Sequence, residues 1–175
     1  MEKRVEAAGR RCGWPLSGLV LLAALALPVL AQPHPSSWQG TVTHVSDGDT
    51  LWVRPQRGGA PQSVRIDAVD APELCQAYGE TARAALAGRV VGQTVQIHVR
   101  RHNHYGRALA RVSLHGQDIG RWLVSQGHAW AYRYRGRATT YARLEAQARR
   151  QRLGLFRMAR AEPPYEFRRR HGSCH

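Results

Sequence analysis

The sequence predicts an α+β fold, in which short strands dominate the first half of the chain and helices follow them. Five segments rich in β-branched and aromatic residues are separated by Asp-Gly, Gly-Gly and Tyr-Gly pairs, as is typical of strands joined by tight turns. In order, these segments are QGTVTHV, TLWVR, SVRIDAV, TVQIHVR and RALARVSL. Five short strands favour a closed barrel, because closure removes exposed sheet edges. An OB-type barrel is one natural solution, although the pattern alone leaves other topologies open.

Two helices are predicted around the later strands. The first is the alanine-rich stretch at residues 78–92, which lies between the third and fourth predicted strands. The second follows Asp118, whose carboxylate suits a helix N-cap, and Gly127 is placed to end it. Its apolar face would consist of Ile119, Trp122 and Leu123.

A third helix is predicted near the end of the chain. It begins near Thr139 or Thr140 and stops at Gly154, and Glu145 pairs with Arg149 across one turn. Its predicted buried residues are Tyr141, Leu144 and Ala148.

The first 31 residues are typical of an export signal rather than of the folded domain. Four basic residues precede the apolar run WPLSGLVLLAALALPVLA, which ends in small residues that a signal peptidase accepts. We expect cleavage after Ala31, and an uncleaved membrane anchor is the alternative. Residues 32–37 form a Pro/Ser-rich lead-in, residues 38–161 the single domain, and residues 162–175 a basic tail. These features predict a bacterial periplasmic or secreted protein with no stable membrane association after cleavage.

The charge balance predicts a polyanionic partner. The chain has 26 lysine and arginine residues against 12 acidic residues, and its formal net charge is +14. Four of the bases and two of the acids lie in the first 31 residues, so most of the excess remains after cleavage. Such an excess attracts polyanions over a long range. Composition favours nucleic acid, while anionic lipid, polysaccharide or a merely soluble basic surface are the alternatives.

The cysteines agree with export. Cys12 would leave with the signal, so Cys75 and Cys174 remain. An even pair in an oxidising compartment predicts a disulfide, and two free thiols are the alternative. The bridge would hold the basic tail beside residue 75.

Acidic residues cluster between positions 47 and 73 of this basic chain. The cluster consists of Asp47, Asp49, Asp67, Asp70 and Glu73. Surface solvation, salt bridges to arginine or a shared cation could each explain it. Asp49 and Asp70 lie at the ends of predicted strands, which favours a hard cation such as Ca²⁺. Arg65 and Asp70 would face opposite sides of a regular strand, so the strand is predicted to end or bulge near Asp70, ahead of Pro72.

Five blocks of the sequence resemble the staphylococcal nuclease (thermonuclease) family, in the same order and at suitable intervals. They are VSDGDTLWV, VRIDAVDAPE, YGRALARV, WLVSQGHAWAYRY and EAQARRQRLGLF. The resemblance runs from about Gly40 to Phe156. It implies a five-stranded OB-fold barrel with three helices, and a Ca²⁺-dependent endonuclease that cleaves DNA and RNA and leaves 3′-phosphates. It also implies DNA and RNA as partners, and we expect a monomer.

The resemblance implies a role for each residue that matches a family motif. The implied Ca²⁺ ligands are Asp49, Asp70 and the backbone carbonyl of Ala71, where the family often has threonine. The implied catalytic residues are Arg65 and Arg107, which would bind phosphate, and Glu73, which would be the general base. The implied nucleotide-binding residues are Tyr105, Tyr132 and Tyr134. The family often has an acidic residue where Asn103 stands, so a contact that orients Arg107 is predicted to be weaker here.

These residue types suit phosphodiester hydrolysis, because the site must neutralise an increasingly negative phosphate and hold a water molecule in line. Arginine binds two phosphate oxygens at once and does not deprotonate. The alternative is a non-catalytic nucleic-acid-binding module of the same fold. Such relatives lack part of the Asp, Arg and Glu set, and this chain retains it, so catalysis is favoured.

Overall fold

The computed structural model describes residues 36–103, 106–134, 137–138 and 140–174, with the backbone alone described at 134, 137 and 138. The predicted export signal, residues 1–31, therefore lies outside the described residues. Among the described residues, no helix has the length and apolar character needed to cross a membrane.

The secondary structure follows the predicted order. In chain order, the strands are β1 (Ser37–Asp47), β2 (Thr50–Pro55), β3 (Gln62–Ile66), β4 (Val69–Asp70), β5 (Thr94–His102), β6 (Ala108–Leu114), β7 (Gln117–Asp118), β8 (Trp130–Ala131), β9 (Arg133–Tyr134) and β10 (Arg137–Ala138). The α-helices are α1 (Gly79–Val90), α2 (Ile119–Ser125), α3 (Ala142–Arg150) and α4 (Pro164–His171), with a 3-10 helix at Gly154–Arg157.

Five of the strands close into a barrel. β1 pairs antiparallel with β2 and with β5, β2 pairs with β3, and β5 pairs with β6. A parallel pairing of β3 with β6 closes the ring. Alternate side chains point inward, so Leu51 and Val53 are fully buried while Trp52 between them is 39% exposed. The predicted α+β fold with a five-stranded barrel is confirmed.

The first two predicted helices pack against this barrel. α1 contacts β1, and its buried residues Ala82, Leu86 and Val90 recur every four positions along one face. At the start of α2, the Asp118 carboxylate accepts a hydrogen bond from the backbone N of Arg121 at 3.0 Å, as an N-cap does. The chain leaves α2 through Gly127, whose φ of 70° is in the left-handed region that favours glycine.

The third helix begins later than predicted. α3 starts at Ala142, after Tyr141, and Thr139 lies outside the described residues. The Glu145 carboxylate pairs with Arg149 at 2.9 Å. It also accepts a hydrogen bond from the backbone N of Ala131 at 2.9 Å. This buried carboxylate therefore ties α3 to β8.

The chain leaves the barrel earlier than the sequence pattern predicts. β3 ends at Ile66 rather than near Asp70, and the chain reverses through Ala68, whose φ is 65°. Val69 and Asp70 then form β4, which pairs with β8 instead of continuing the barrel sheet. The predicted bend exists, but its place was wrong, because a positive φ at an alanine has no signature in the sequence. The reversal lets Arg65 and Asp70 reach the same point.

The C-terminal tail contains a fourth helix that the sequence pattern does not predict. Pro164 stands at its first turn and basic residues fill its last turn, which suits the helix ends. A disulfide joins Cys75 and Cys174, with the Cα atoms 5.8 Å apart. Gln76 adds a second connection, since its side-chain amide donates a hydrogen bond to the backbone O of Glu162 at 2.7 Å. The tail is thus fixed to the segment that follows Glu73.

Candidate active site

One cavity of about 390 Å³ gathers most of the residues that the family resemblance singles out. Its lining includes Asp49, Arg65, Ala71, Glu73 and Arg107. Strand ends, the segment after β4 and the C-terminal tail all contribute to its wall. Folding therefore brings together side chains that are up to 58 positions apart among the predicted residues.

The Asp47-Gly48-Asp49 turn places the first of these carboxylates. The Asp47 side chain accepts a hydrogen bond from the backbone N of Asp49 at 2.9 Å, so Asp47 supports the turn. A Cβ atom added at Gly48 would lie 2.6 Å from the Cβ of Ala71. Only glycine therefore lets this turn pack so closely against the segment that carries Ala71.

Asp49 is buried, with 2% of its surface exposed. One carboxylate oxygen accepts a hydrogen bond from the backbone N of Ala71 at 3.0 Å. Burial raises the pKa of Asp49 to about 7; Arg65 opposes this rise, whereas the nearby Asp47 and Asp70 carboxylates add to it. A cation bound beside Asp49 would favour its ionised form.

Arg65 bridges the two predicted metal-binding carboxylates. Its Nη1 lies 2.8 Å from Asp49 Oδ1, and its Nη2 lies 3.1 Å from Asp70 Oδ1. The pairing of Arg65 with Thr50 across β2 and β3 sets this position. The Asp49 carboxylate raises the pKa of Arg65, which keeps the guanidinium charged. The carboxylates of Asp49 and Asp70 thus converge on one guanidinium.

Arg168 on α4 is a site residue that the sequence analysis missed. Its Nη1 and Nη2 each lie 3.1 Å from an oxygen of the Asp70 carboxylate, and Nη1 also lies 2.8 Å from Glu73 Oε1. The basic tail showed no motif that marked it. Cys174 was the feature of the sequence that could have indicated it. A disulfide from Cys174 to Cys75 brings the tail close to Glu73, which is two positions before Cys75 in the sequence.

Arg107 differs from the other arginines of the cavity. Its backbone N donates a hydrogen bond to the side chain of Asn103 at 2.9 Å, so Asn103 supports the loop that carries Arg107. Within the described part of the chain, the Arg107 guanidinium has no carboxylate partner. Its charge is therefore available to an anion that enters the cavity.

The structure describes one of the three predicted nucleotide-binding tyrosines. Tyr132 lines a smaller cavity of about 130 Å³ together with Arg65. Tyr105 lies outside the described residues, and so does the side chain of Tyr134.

The donor set fits a hard divalent cation only together with other oxygen ligands. In the described ranges, no three histidine, cysteine or acidic side chains form a cluster that could hold a metal ion. The Asp49 and Asp70 carboxylates beside the Ala71 backbone offer oxygen ligands, and water can complete the set around Ca²⁺. Arg168 contacts both oxygens of Asp70, so a cation at Asp70 would have to displace it or share those oxygens.

Comparisons with known proteins show what this chain is similar to. The family model described as "Staphylococcal nuclease homologue" matches residues 63–158. "Protein ParB" of Escherichia coli is 39% identical over 158 residues, covering 84% of this chain and 88% of the relative. "Micrococcal nuclease" of Shigella flexneri is 36% identical over 165 residues, covering 88% and 94%. An "Uncharacterized endonuclease" of Escherichia coli O157:H7 is 33% identical over 132 residues, covering 75% and 85%.

The barrel, its charged cavity and these matches define a phosphodiester hydrolase of the nuclease class. More particularly, the chain belongs to the staphylococcal nuclease family.

Proposed function

We propose that this protein is an exported, Ca²⁺-dependent endonuclease that hydrolyses phosphodiester bonds of DNA and RNA and leaves 3′-phosphate products. One observation carries the proposal: a single cavity gathers the buried Asp49 carboxylate, Glu73 and Arg107, whose guanidinium pairs with no carboxylate among the described residues. Charges of both signs suit a reaction in which an anionic phosphate is held while a water molecule is activated. Membership of the nuclease family supports the same chemistry.

Asp49 and Asp70 would hold the Ca²⁺ ion together with the backbone carbonyl of Ala71. When bound, the ion would supply positive charge to a phosphate that becomes more negative during the reaction. Both carboxylates are almost fully buried, at 2% and 5% exposed. Two buried carboxylates repel each other in a low-dielectric site, and a divalent cation would relieve that repulsion.

The chain's own side chains would perform the remaining steps. Arg107 and Arg65 would donate hydrogen bonds to the non-bridging phosphate oxygens. Glu73 would take a proton from the water molecule that attacks phosphorus, as the bond from phosphorus to the 5′-oxygen breaks. The leaving 5′-oxygen would take a proton from solvent water and depart as a hydroxyl group. The phosphate then stays on the 3′-oxygen. Glu73 Oε1 contacts Arg168 at 2.8 Å. This ion pair favours the ionised carboxylate, so releasing it would make Glu73 a stronger base.

Two further parts of the proposal have separate support. The pocket that Tyr132 and Arg65 line supports nucleotide binding by Tyr132, and Tyr105 and Tyr134 would join it by the family resemblance. The Cys75–Cys174 disulfide supports export to the periplasm or the medium, because such bonds persist in oxidising compartments.

The test is a cleavage assay on the exported protein with end-labelled single-stranded DNA and RNA. We expect cleavage of both with Ca²⁺ and none after chelation by EGTA. Glu73→Gln should lower kcat by a factor of about 10² to 10⁴, the usual contribution of a general base, and should still bind DNA. The products should carry 3′-phosphates, which a phosphatase specific for that end removes.

Glu80→Gln is the matched control, since Glu80 lies on the surface of α1 with its side chain 65% exposed and pairs with Arg83. It should cleave like the wild type. Undiminished activity in Glu73→Gln, or products with 5′-phosphates, would contradict the assignment. A wild-type protein that binds DNA and never cleaves it would instead support the binding module.

A further inference from the structure

A second cavity, of about 420 Å³, adjoins the candidate active site, because Arg107 lines both. Residues of all five barrel strands contribute to its wall. Trp38 of β1 and Trp52 of β2 supply its aromatic surface, and Arg57 and Arg107 supply its charge. We call this cavity the Trp cleft.

Trp52 is a large aromatic side chain on the solvent-facing side of β2. It lies between the fully buried Leu51 and Val53, and 39% of its surface is exposed to solvent. A single exposed aromatic residue is ordinary, but contiguous apolar surface often marks a binding site, and Trp52 lines the same cavity as Trp38. The Trp52 Nε1 donates a hydrogen bond to Ser46 Oγ at 3.0 Å, which holds the indole in one orientation. A ring fixed before binding loses little entropy when a ligand stacks on it.

The arginines of the Trp cleft differ in their partners from Arg65 and Arg168 of the active-site cavity. Within the described residues, neither Arg57 nor Arg107 pairs with a carboxylate. Arg65 and Arg168, on the wall of the active-site cavity, are both paired. The Trp cleft therefore combines an indole surface with free positive charge, the combination by which proteins hold single-stranded nucleic acid.

We propose that the Trp cleft is a stacking subsite for one unpaired nucleobase of the polynucleotide, next to the phosphate that Arg107 binds. This inference rests on the proposed function for its substrate class. A volume of about 420 Å³ falls in the range of about 300 to 1,000 Å³ that is usual for small-ligand sites. Because Tyr132 lines the cavity beside Arg65 instead, the two cavities would take different nucleotides of the strand.

The subsite should select single strands. In a duplex, each base is covered on both faces by its neighbours, so an indole on the protein can stack only on a base that is unpaired and turned outward. The strand would pass from the active-site cavity across Arg107 into the Trp cleft, and the Trp52 ring would meet the next base.

The test measures binding by fluorescence anisotropy with a labelled single-stranded octanucleotide and its duplex, in EGTA so that no cleavage occurs. Trp52→Ala should weaken single-strand binding about five- to hundredfold, because base stacking on an aromatic side chain contributes about 1 to 3 kcal/mol. It should leave duplex binding within about twofold of the wild type. Trp52→Phe, which keeps a ring, should recover most of the single-strand affinity.

Tyr165→Ala is the control, since Tyr165 is another exposed aromatic residue, at 51%, and does not line the Trp cleft. It should bind like the wild type. Should Trp52→Ala unfold, Arg57→Gln replaces it. That variant should reduce the slope of log affinity against log salt by about 0.7, the value for one lost contact to single-stranded DNA.

Equal losses for single strand and duplex, equal losses in Tyr165→Ala, or wild-type binding by Trp52→Ala would each overturn the subsite. The wild-type cleavage assay separates this failure from failure of the proposed function. If the wild type cleaves with Ca²⁺ and Trp52→Ala binds single strands normally, the proposed function holds and the subsite does not. If the wild type never cleaves and Trp52→Ala loses single-strand binding, the subsite holds and the proposed function does not.

Discussion

The two walls of the candidate active site are held in place by different means. On the barrel wall, strand register fixes the residues: Arg65 pairs with Thr50 across β2 and β3. On the opposite wall, Arg168 is carried by α4, and the Cys75–Cys174 bond ties the end of that helix to the segment after Glu73. The barrel wall therefore depends on the fold as a whole, whereas the α4 wall depends on one covalent connection and a few polar contacts.

The arginines of the two walls also differ in what they contact. Arg107 has no carboxylate partner in the described chain, whereas Arg168 holds Asp70 and Glu73. An unpaired guanidinium is ready for a phosphate, and a paired one neutralises the carboxylates that a cation and a water molecule would need. The difference teaches that arginine count alone does not describe this site. Each arginine must be weighed with its partner.

The largest effect should come from the barrel wall. Arg107→Ala removes the donor that we propose to bind the phosphate, and loss of one such donor usually costs a factor of about 10² to 10³ in kcat. Steady-state cleavage of a labelled oligonucleotide measures it. Arg100→Ala is the control, because Arg100 is likewise unpaired within the described residues but lies exposed and away from the cavity, and it should stay within about threefold of the wild type. A wild-type kcat in Arg107→Ala would contradict the idea that the unpaired arginine matters more for catalysis than the paired one.

A change in the α4 wall should have a smaller effect, and it should improve a property of the site, the Ca²⁺ affinity, rather than impair one. Arg168→Gln should tighten Ca²⁺ binding about three- to tenfold, because the cation would no longer displace an ion pair whose arginine side chain is 29% exposed and which contributes about 1 kcal/mol. Isothermal titration with Ca²⁺ alone measures this without any cleavage. Arg169→Gln removes the same charge from the exposed face of α4 and should bind Ca²⁺ like the wild type. Weaker Ca²⁺ binding in Arg168→Gln would show that Arg168 supports the cation rather than competing with it.

The smallest effect should come from removing the Cys75–Cys174 disulfide. Cys174→Ser removes the bridge to Cys75 but keeps the contact of Gln76 with the Glu162 backbone and the ion pairs of Arg168. Arg168 should therefore remain docked for most of the time, and Ca²⁺ binding should tighten by only about twofold. The same titration, run beside Arg168→Gln, ranks the two changes. A larger effect of Cys174→Ser than of Arg168→Gln would mean that the bridge positions more of the site than Arg168.

The sequence by itself determined the five barrel strands, their order and the turn that carries Asp49. Alternating apolar residues fixed the five strands, and the Asp-Gly turn placed Asp49 at a strand end, because these signals act between residues close in the chain. The strands and the turn have local causes, so they are visible in the order of the residues. Glu73 and Arg107 carry no such local signal, and only the resemblance to the family blocks indicates them.

Only the tertiary structure decided how the charges pair. The reversal at Ala68, which lets Asp70 meet Arg65, depends on the pairing of β4 with β8, and that strand lies 60 residues further along the chain. Arg168 reaches Asp70 across 98 residues. No local pattern records such contacts, because they arise from the packing of distant segments, and the free energy of each charge depends on the partner that packing provides.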